Sequence, residues 1–159
     1  MISFQFHPFS WQFQVTRKKA IGSDHGGFEL KEKVIKHLLE KDIEVLDLGT
    51  NSTASVDYPE FGHAVGHAVV EGKADLGIVI CGTGIGISIS ANKVPGVRAG
   101  LCTNTTMAKL TRQHNNANVL AMGARIVGDV LALDMVDTFI STPFEGGRHE
   151  RRIENIEKI

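Results

Sequence analysis

The sequence predicts an α/β fold: a Rossmann-like three-layer sandwich around a five-stranded parallel sheet. Short apolar strands alternate with amphipathic stretches from Lys18 onward, the pattern of a parallel sheet with helices on both faces. Leu76-Gly77-Ile78-Val79-Ile80 is apolar without a break, as a strand buried on both faces must be. The usage is ordinary for a globular chain, 42% apolar and 22% charged, and 159 residues suit one domain able to bury a core without disulfide or metal staples.

The elements follow in order. Lys19 to Ser23 reads as a strand ending in a polar turn. Phe28 to Lys41 reads as a helix, with Leu30, Val34, Ile35, Leu38 and Leu39 at helical spacing. Glu44 to Asp47 is a second strand, and 50–58 a polar loop. Pro59 suits the start of a helix reaching about Gly72, with Phe61, Val65, Ala68 and Val69 inward. After the central strand, a glycine loop opens a helix to about Lys93. Val97 to Leu101 is a fourth strand, Thr105 to Gln113 a helix, and Val119 to Met122 a fifth strand. Val127 to Ser141 is a helix with Val130, Leu131, Leu133, Val136 and Ile140 as candidate core. Gly146-Gly147 breaks it, and Arg148 to Ile159 is a terminal helix or arm.

Residues 1–17 stand apart from the 18–159 domain. Met1 to Thr16 holds Phe4, Phe6, Phe9, Trp11 and Phe13, half of the aromatic residues, and no acidic residue. It has no basic start and no continuous apolar run, unlike a secretory signal. A cloning or start-site artefact, an extra strand or arm on a partner subunit, and a targeting piece all fit it. A net charge of −1 gives no basic field for nucleic acid or a membrane surface, and no apolar run is long enough to span a bilayer. Two cysteines without a framework point to a reducing, cytoplasmic setting.

A parallel sheet places ligands beyond the carboxyl ends of its strands. The residues there are Ser23-Asp24-His25, Asp57-Tyr58, Cys81 to Gly86, Thr103-Asn104 and Gly123-Ala124-Arg125. Cys81-Gly82-Thr83-Gly84-Ile85-Gly86 is the strongest local feature. Its glycines let backbone N–H groups approach a ligand, and the helix N-terminus that follows favours negative charge. It lacks the spacing of a dinucleotide fingerprint and the Lys of a P-loop. Asp24-His25 reads equally as helix cap or acid–base pair. His114 taken alone reads more readily as a helix C-cap. Arg148 and Arg152, four apart on one helix face, can hold a phosphate, although a solvated charge run is the plainer alternative. His63 and His67 lack a zinc-protease Glu and a third ligand, so no metal is expected. Cys102 ends an apolar strand and reads as a small core residue.

Taken together, Gly22 to Phe28, Asp57-Tyr58-Pro59, Ile80 to Ser88, Asn92-Lys93, Arg112 to Asn118 and Glu145 to His149 resemble the type B ribose-5-phosphate isomerases of the ribose/galactose isomerase family. The resemblance is collinear from about Lys18 to the C-terminus; 1–17 lies outside it. It implies a metal-free and cofactor-free aldose–ketose isomerisation between ribose 5-phosphate and ribulose 5-phosphate, through an enediolate, in the pentose phosphate pathway. By the same resemblance, Cys81 is the base, and Gly82, Thr83, Gly84, Ile85 and Gly86 cradle the enediolate. His114 opens the furanose ring with Asp24 as its counterpart. Asn115 and Tyr58 touch the sugar. His25, Arg148 and Arg152 bind the phosphate, with Arg125 less directly implied. Cys81 with Ile85 matches the thiol branch; the other branch carries Ser and Glu there. The resemblance further implies a homodimer or homotetramer with interface sites.

Other sugar phosphates, galactose 6-phosphate or allose 6-phosphate, remain open as substrates. The galactose 6-phosphate enzyme divides its motifs between two subunit types, whereas this chain carries both sets. A non-catalytic phosphate-binding module would keep the glycine loop and the arginines without needing Cys81 and His114 together.

Overall fold

The structure is a computed structural model that describes residues 17–159. The expectation for the aromatic leader, residues 1–16, falls outside the described residues.

The chain runs β1 (Lys19–Ser23), a 3-10 turn (His25–Gly27), α1 (Phe28–Glu40), β2 (Val45–Asp47), α2 (Tyr58–Val70) and β3 (Leu76–Cys81). It continues through α3 (Ile85–Asn92), β4 (Ala99–Leu101), α4 (Thr105–Asn115), β5 (Val119–Gly123), α5 (Asp129–Ser141) and α6 (Arg148–Ile156). The five strands form one sheet in the order β2-β1-β3-β5-β4, with every pair parallel. The central strand pairs in register on both sides, Ile21 with Ile78 and Ile78 with Leu120.

Alternation along the buried strands feeds two cores, one on each face. Ile21, Ile78, Ile80, Leu120 and Met122 pack under α1, α4 and α5 through Leu30, Val34, Ala108, Met135 and Phe139. Ala20, Val79, Val119 and Ala121 pack under α2 and α3 through Val65, Ala68, Ile87 and Ala91. This is the three-layer arrangement expected from the sequence.

Three expectations are corrected. Val130 is 77% exposed, because the buried stripe of α5 runs through Ala132, Met135, Val136 and Phe139. Leu131, Leu133 and Ile140 flank that stripe, half-buried. Apolar residues occupy more than one face of this helix, so periodicity alone misplaces its phase. Leu39 is 55% exposed, one position beyond the stripe ending at Leu38. β4 begins at Ala99 and not Val97, since Val97 N–H closes a turn onto Val94 O and the Asn118 side chain captures Arg98 N–H at 2.8 Å.

Lys31 is wholly buried and pairs with Asp47 at 2.8 Å and Glu32 at 2.9 Å. A buried ammonium needs such partners. Of the two, Asp47 ties α1 to the end of β2, from which the 48–57 loop departs.

Candidate active site

The strand order decides where a ligand can sit. The chain leaves β1 for α1 on one face and β3 for α3 on the other. A crevice therefore opens between the carboxyl ends of these adjacent strands. Asp24 and His25 stand on one side and Cys81 on the other. The two sides touch: a Cβ on Gly26 would lie 3.3 Å from Gly82 N.

Cys81 ends β3 and is 5% exposed. The Gly84 N–H donates to its Sγ at 3.1 Å, a contact that favours negative charge on sulfur. Gly84 reaches this position only in the left-handed region, at φ 79. A Cβ there would lie 2.6 Å from Leu101 Cδ1 and 2.7 Å from the Met122 carbonyl carbon. Glycine is thus required twice, by conformation and by space. Ile85 N–H donates to Thr83 Oγ1 at 3.2 Å, so the Thr83 hydroxyl accepts within the loop and keeps its proton for another partner. Gly86 lies against the Tyr58 ring, which a Cβ would approach to 2.6 Å.

Asp24 is a cap, as one of its two sequence readings had it: its Oδ1 accepts the Gly27 N–H at 3.1 Å. His25 Nδ1 accepts the Val56 N–H at 3.2 Å, which places the ring proton on Nε2. Arg125 N–H donates to Gly82 O at 3.0 Å, and its side chain lies alongside Gly82. A cavity of about 210 Å³ is lined by His25, Gly26, Thr53 and Arg125. Asp24, His25, Tyr58, Cys81 to Gly86 and Arg125 therefore share the carboxyl edge of the sheet.

His114, Asn115, Arg148 and Arg152 do not join them within one chain. Helix α4 returns from the end of β4, so its last residues reach the amino edge. There Asn115 O accepts from Arg98 Nε at 3.1 Å, and Asn118 O accepts the Gly77 N–H at 2.8 Å. Gly77 precedes Cys81 by four residues of β3, about 13 Å of strand. Asn116, left-handed at φ 44, turns the chain out of α4. Arg112 clamps that turn by donating to Asn116 Oδ1 at 2.9 Å and Ala117 O at 2.6 Å. Burial pulls the Arg112 guanidinium below its ordinary value. Helix α6 brings exposed Arg148 and Arg152 to this edge, and His149 stacks on His114. A cavity of about 610 Å³ here is lined by Arg98, Thr111, Asn115 and Ala117, among others.

His63 and His67 lie exposed on α2. Among the described residues, the grouping with ligand spacing for a metal is His114, Glu145 and His149, whose ligand atoms lie within 4.8 Å of one another. The two imidazoles are nearly parallel, 14° apart, so their in-plane lone pairs run side by side and do not converge. Cys102 is 1% exposed, and burial pushes its thiol up to about 11, which keeps it protonated and inert at neutral pH. Sequence reading missed the Arg112 clamp, the Val56 contact to His25 and the pairing of His114 with His149. The last two join segments 31 and 35 positions apart and leave no local pattern, and the Arg112 clamp depends on the left-handed turn at Asn116, which residue type alone does not announce.

Comparison with known proteins gives concordant results. A family model described as Ribose/Galactose Isomerase matches residues 20–156. The chain is 50% identical over 143 residues to ribose-5-phosphate isomerase B of Escherichia coli, covering 90% of this chain and 96% of that one. A crystal structure of a ribose 5-phosphate isomerase from Thermotoga maritima superposes with a TM-score of 0.88 at 55% identity, covering 89% and 98% of the two chains. Ribose-5-phosphate isomerase B from Mycoplasma genitalium, solved with bound ribulose-5-phosphate, superposes with a TM-score of 0.85 at 46% identity, covering 89% and 94%. Among the described residues, no helix is long and apolar enough to cross a membrane.

Proposed function

The chain belongs to the ribose/galactose isomerase family, and from that premise we propose that it interconverts ribose 5-phosphate and ribulose 5-phosphate in the pentose phosphate pathway of the cytoplasm. The observation that carries the reading is Cys81, with its sulfur under the Gly84 N–H at the mouth of α3. We take 18–159 as the isomerase domain and 1–17 as an extension to it.

The reaction needs two kinds of proton movement. In ring opening, His114 gives a proton to the ring oxygen O4 while Asp24 takes the O1 proton. The C1–O4 bond breaks and the aldehyde forms. Cys81, as thiolate, then takes the C2 proton. The electron pair becomes the C1–C2 double bond, and negative charge collects on O1. Backbone amides of Gly82 to Gly86, with the Thr83 hydroxyl, meet that charge with fixed donors. The O2 hydroxyl proton passes to O1, the thiol returns its proton to C1, and a C2=O carbonyl replaces the C1–C2 double bond, giving the ketose. His25, donating from Nε2, binds the phosphate together with Arg148 and Arg152, and Arg125 lines the same end. Tyr58 and Asn115 flank the sugar.

The two groups of residues lie at opposite sheet edges, so the complete site is assembled from two copies of the chain. One contributes Cys81 with its cradle, and the other contributes His114, Asn115 and the α6 arginines. Exposed apolar residues beside the Cys81 loop, Ile85 and Ile89, supply a surface for such pairing in a homodimer or a dimer of dimers. Mixing tests this. Cys81→Ala and His114→Ala are each expected to be inactive. Refolded together in equal amounts, half of the dimers are mixed and each carries one intact site, which restores about a quarter of full activity. A mixture that stays dead overturns the shared site, and full activity of Cys81→Ala alone removes Cys81 as base.

A further inference from the structure

We propose that His149, anchored by Glu145, is a positioning residue that holds the His114 ring in the attitude from which it opens the sugar; the proposal rests on the ring-opening role given to His114 above. A general acid must meet its acceptor at hydrogen-bond distance and in line. Catalytic imidazoles are commonly aimed by a hydrogen bond at their second nitrogen. Among the described residues no hydrogen bond reaches the His114 ring. What holds it is a face: the His149 ring lies parallel to it, with centroids 4.4 Å apart and planes 14° apart.

His149 is built as a fixed plate. It is 5% exposed, although a buried imidazole needs a polar partner. Glu145 faces it, with Oε2 3.5 Å from His149 Nε2, within ion-pair range. The same segment is stapled to α4, since Glu145 N–H donates to Gln113 O at 3.2 Å, one residue before His114. Gly146 and Gly147 both have positive φ, 68 and 59. Two such residues in succession fold the chain back so that Glu145 and His149 meet at the end of α4, a path closed to most side chains. The Gly-Gly pair, read in the sequence as a helix breaker within the Glu145 to His149 motif, thus shapes the support for His114. The parallel rings suit a stack and not a metal chelate.

The role separates from structural damage because only one direction of the reaction needs the ring opened. Ribulose 5-phosphate has its O5 esterified and forms no furanose. Exchange of its C1 proton with D2O therefore reports Cys81 and the enediolate cradle alone. With His149→Ala, ribose 5-phosphate turnover is expected to fall roughly 10- to 100-fold, while exchange into ribulose 5-phosphate stays within about twofold of the unaltered enzyme. His149→Phe, which keeps a flat ring, is expected to recover turnover to within about threefold. Equal loss of turnover and exchange in His149→Ala overturns the positioning role, as does unchanged turnover. His149→Phe as impaired as His149→Ala overturns the stack as its means. Should His149→Ala fail to fold, Glu145→Gln takes its place, with a several-fold selective loss of turnover expected; no selectivity refutes the proposal. If the unaltered enzyme performs neither reaction, the isomerase reading fails instead.

Discussion

Gly84→Ala loads the hinge of the site with a single methyl group, and its cost divides into two parts. The first is conformational. At φ 79 an L-residue other than glycine is disfavoured by about 1–2 kcal/mol. The second is steric. The new Cβ would stand 2.7 Å from Met122 C and 2.9 Å from Gly123 N, both backbone atoms that no rotamer change can move, besides Leu101 Cδ1 at 2.6 Å. Overpacking of this kind costs about 1–3 kcal/mol. The sum is about 2–5 kcal/mol. Gly72→Ala isolates the first part, because Gly72 has φ 76 and nothing within 4 Å of its Cβ position. For a chain of this size each kcal/mol moves Tm by about 2–4 °C. Thermal unfolding followed by circular dichroism should therefore place Gly84→Ala roughly 2–12 °C below Gly72→Ala, and both below the unaltered protein. Turnover should fall in Gly84→Ala alone, as the amide over Cys81 Sγ shifts. Equal Tm values for the two variants would refute the packing argument, and a fully active Gly84→Ala would refute the place given to that amide.

Arg148→Ala should raise KM for ribose 5-phosphate about tenfold or more, with kcat changed less, as expected for a charged phosphate contact; steady-state kinetics with an unchanged KM would remove Arg148 from the phosphate site. Burial raises the Cys102 thiol from 9.0 to about 11, so above pH 9 the unfolded chain loses this proton before the folded one does. Stability tied to Cys102 is therefore full below pH 9 and lost as pH rises to 11, by roughly 2–3 kcal/mol. Urea unfolding at pH 8 and pH 11 checks this, since Cys102→Ala should lose less stability across that interval than the unaltered protein. Prolonged EDTA treatment followed by gel filtration should leave the isomerisation rate intact; a loss restored by a divalent ion would contradict metal-free proton transfer.

Much of the molecule follows from local pattern. The uninterrupted Leu76 to Ile80 run could only be a strand buried on both faces, and the alternation around it required a parallel sheet. Cys81 to Gly86 was legible because backbone approach and a left-handed turn demand glycine in a recognisable place. The phase of α5 was not legible: Val130 and Met135 are both apolar, and only the packed sheet decides which of them faces it. The site divides the same way. Residue types and their order singled out Cys81, Asp24, His114 and Arg148 as candidates, the last three through the collinear motifs that carry the family resemblance. Their distribution between two edges, the stack of His149 on His114, and the burial of Lys31 against Asp47 depend on how α4, α6 and the sheet pack. Contacts between residues 35 positions apart, such as His114 and His149, leave no periodic trace in a chain. Strand direction sends each helix back toward the amino edge, and that return carries His114 away from the Cys81 of its own chain.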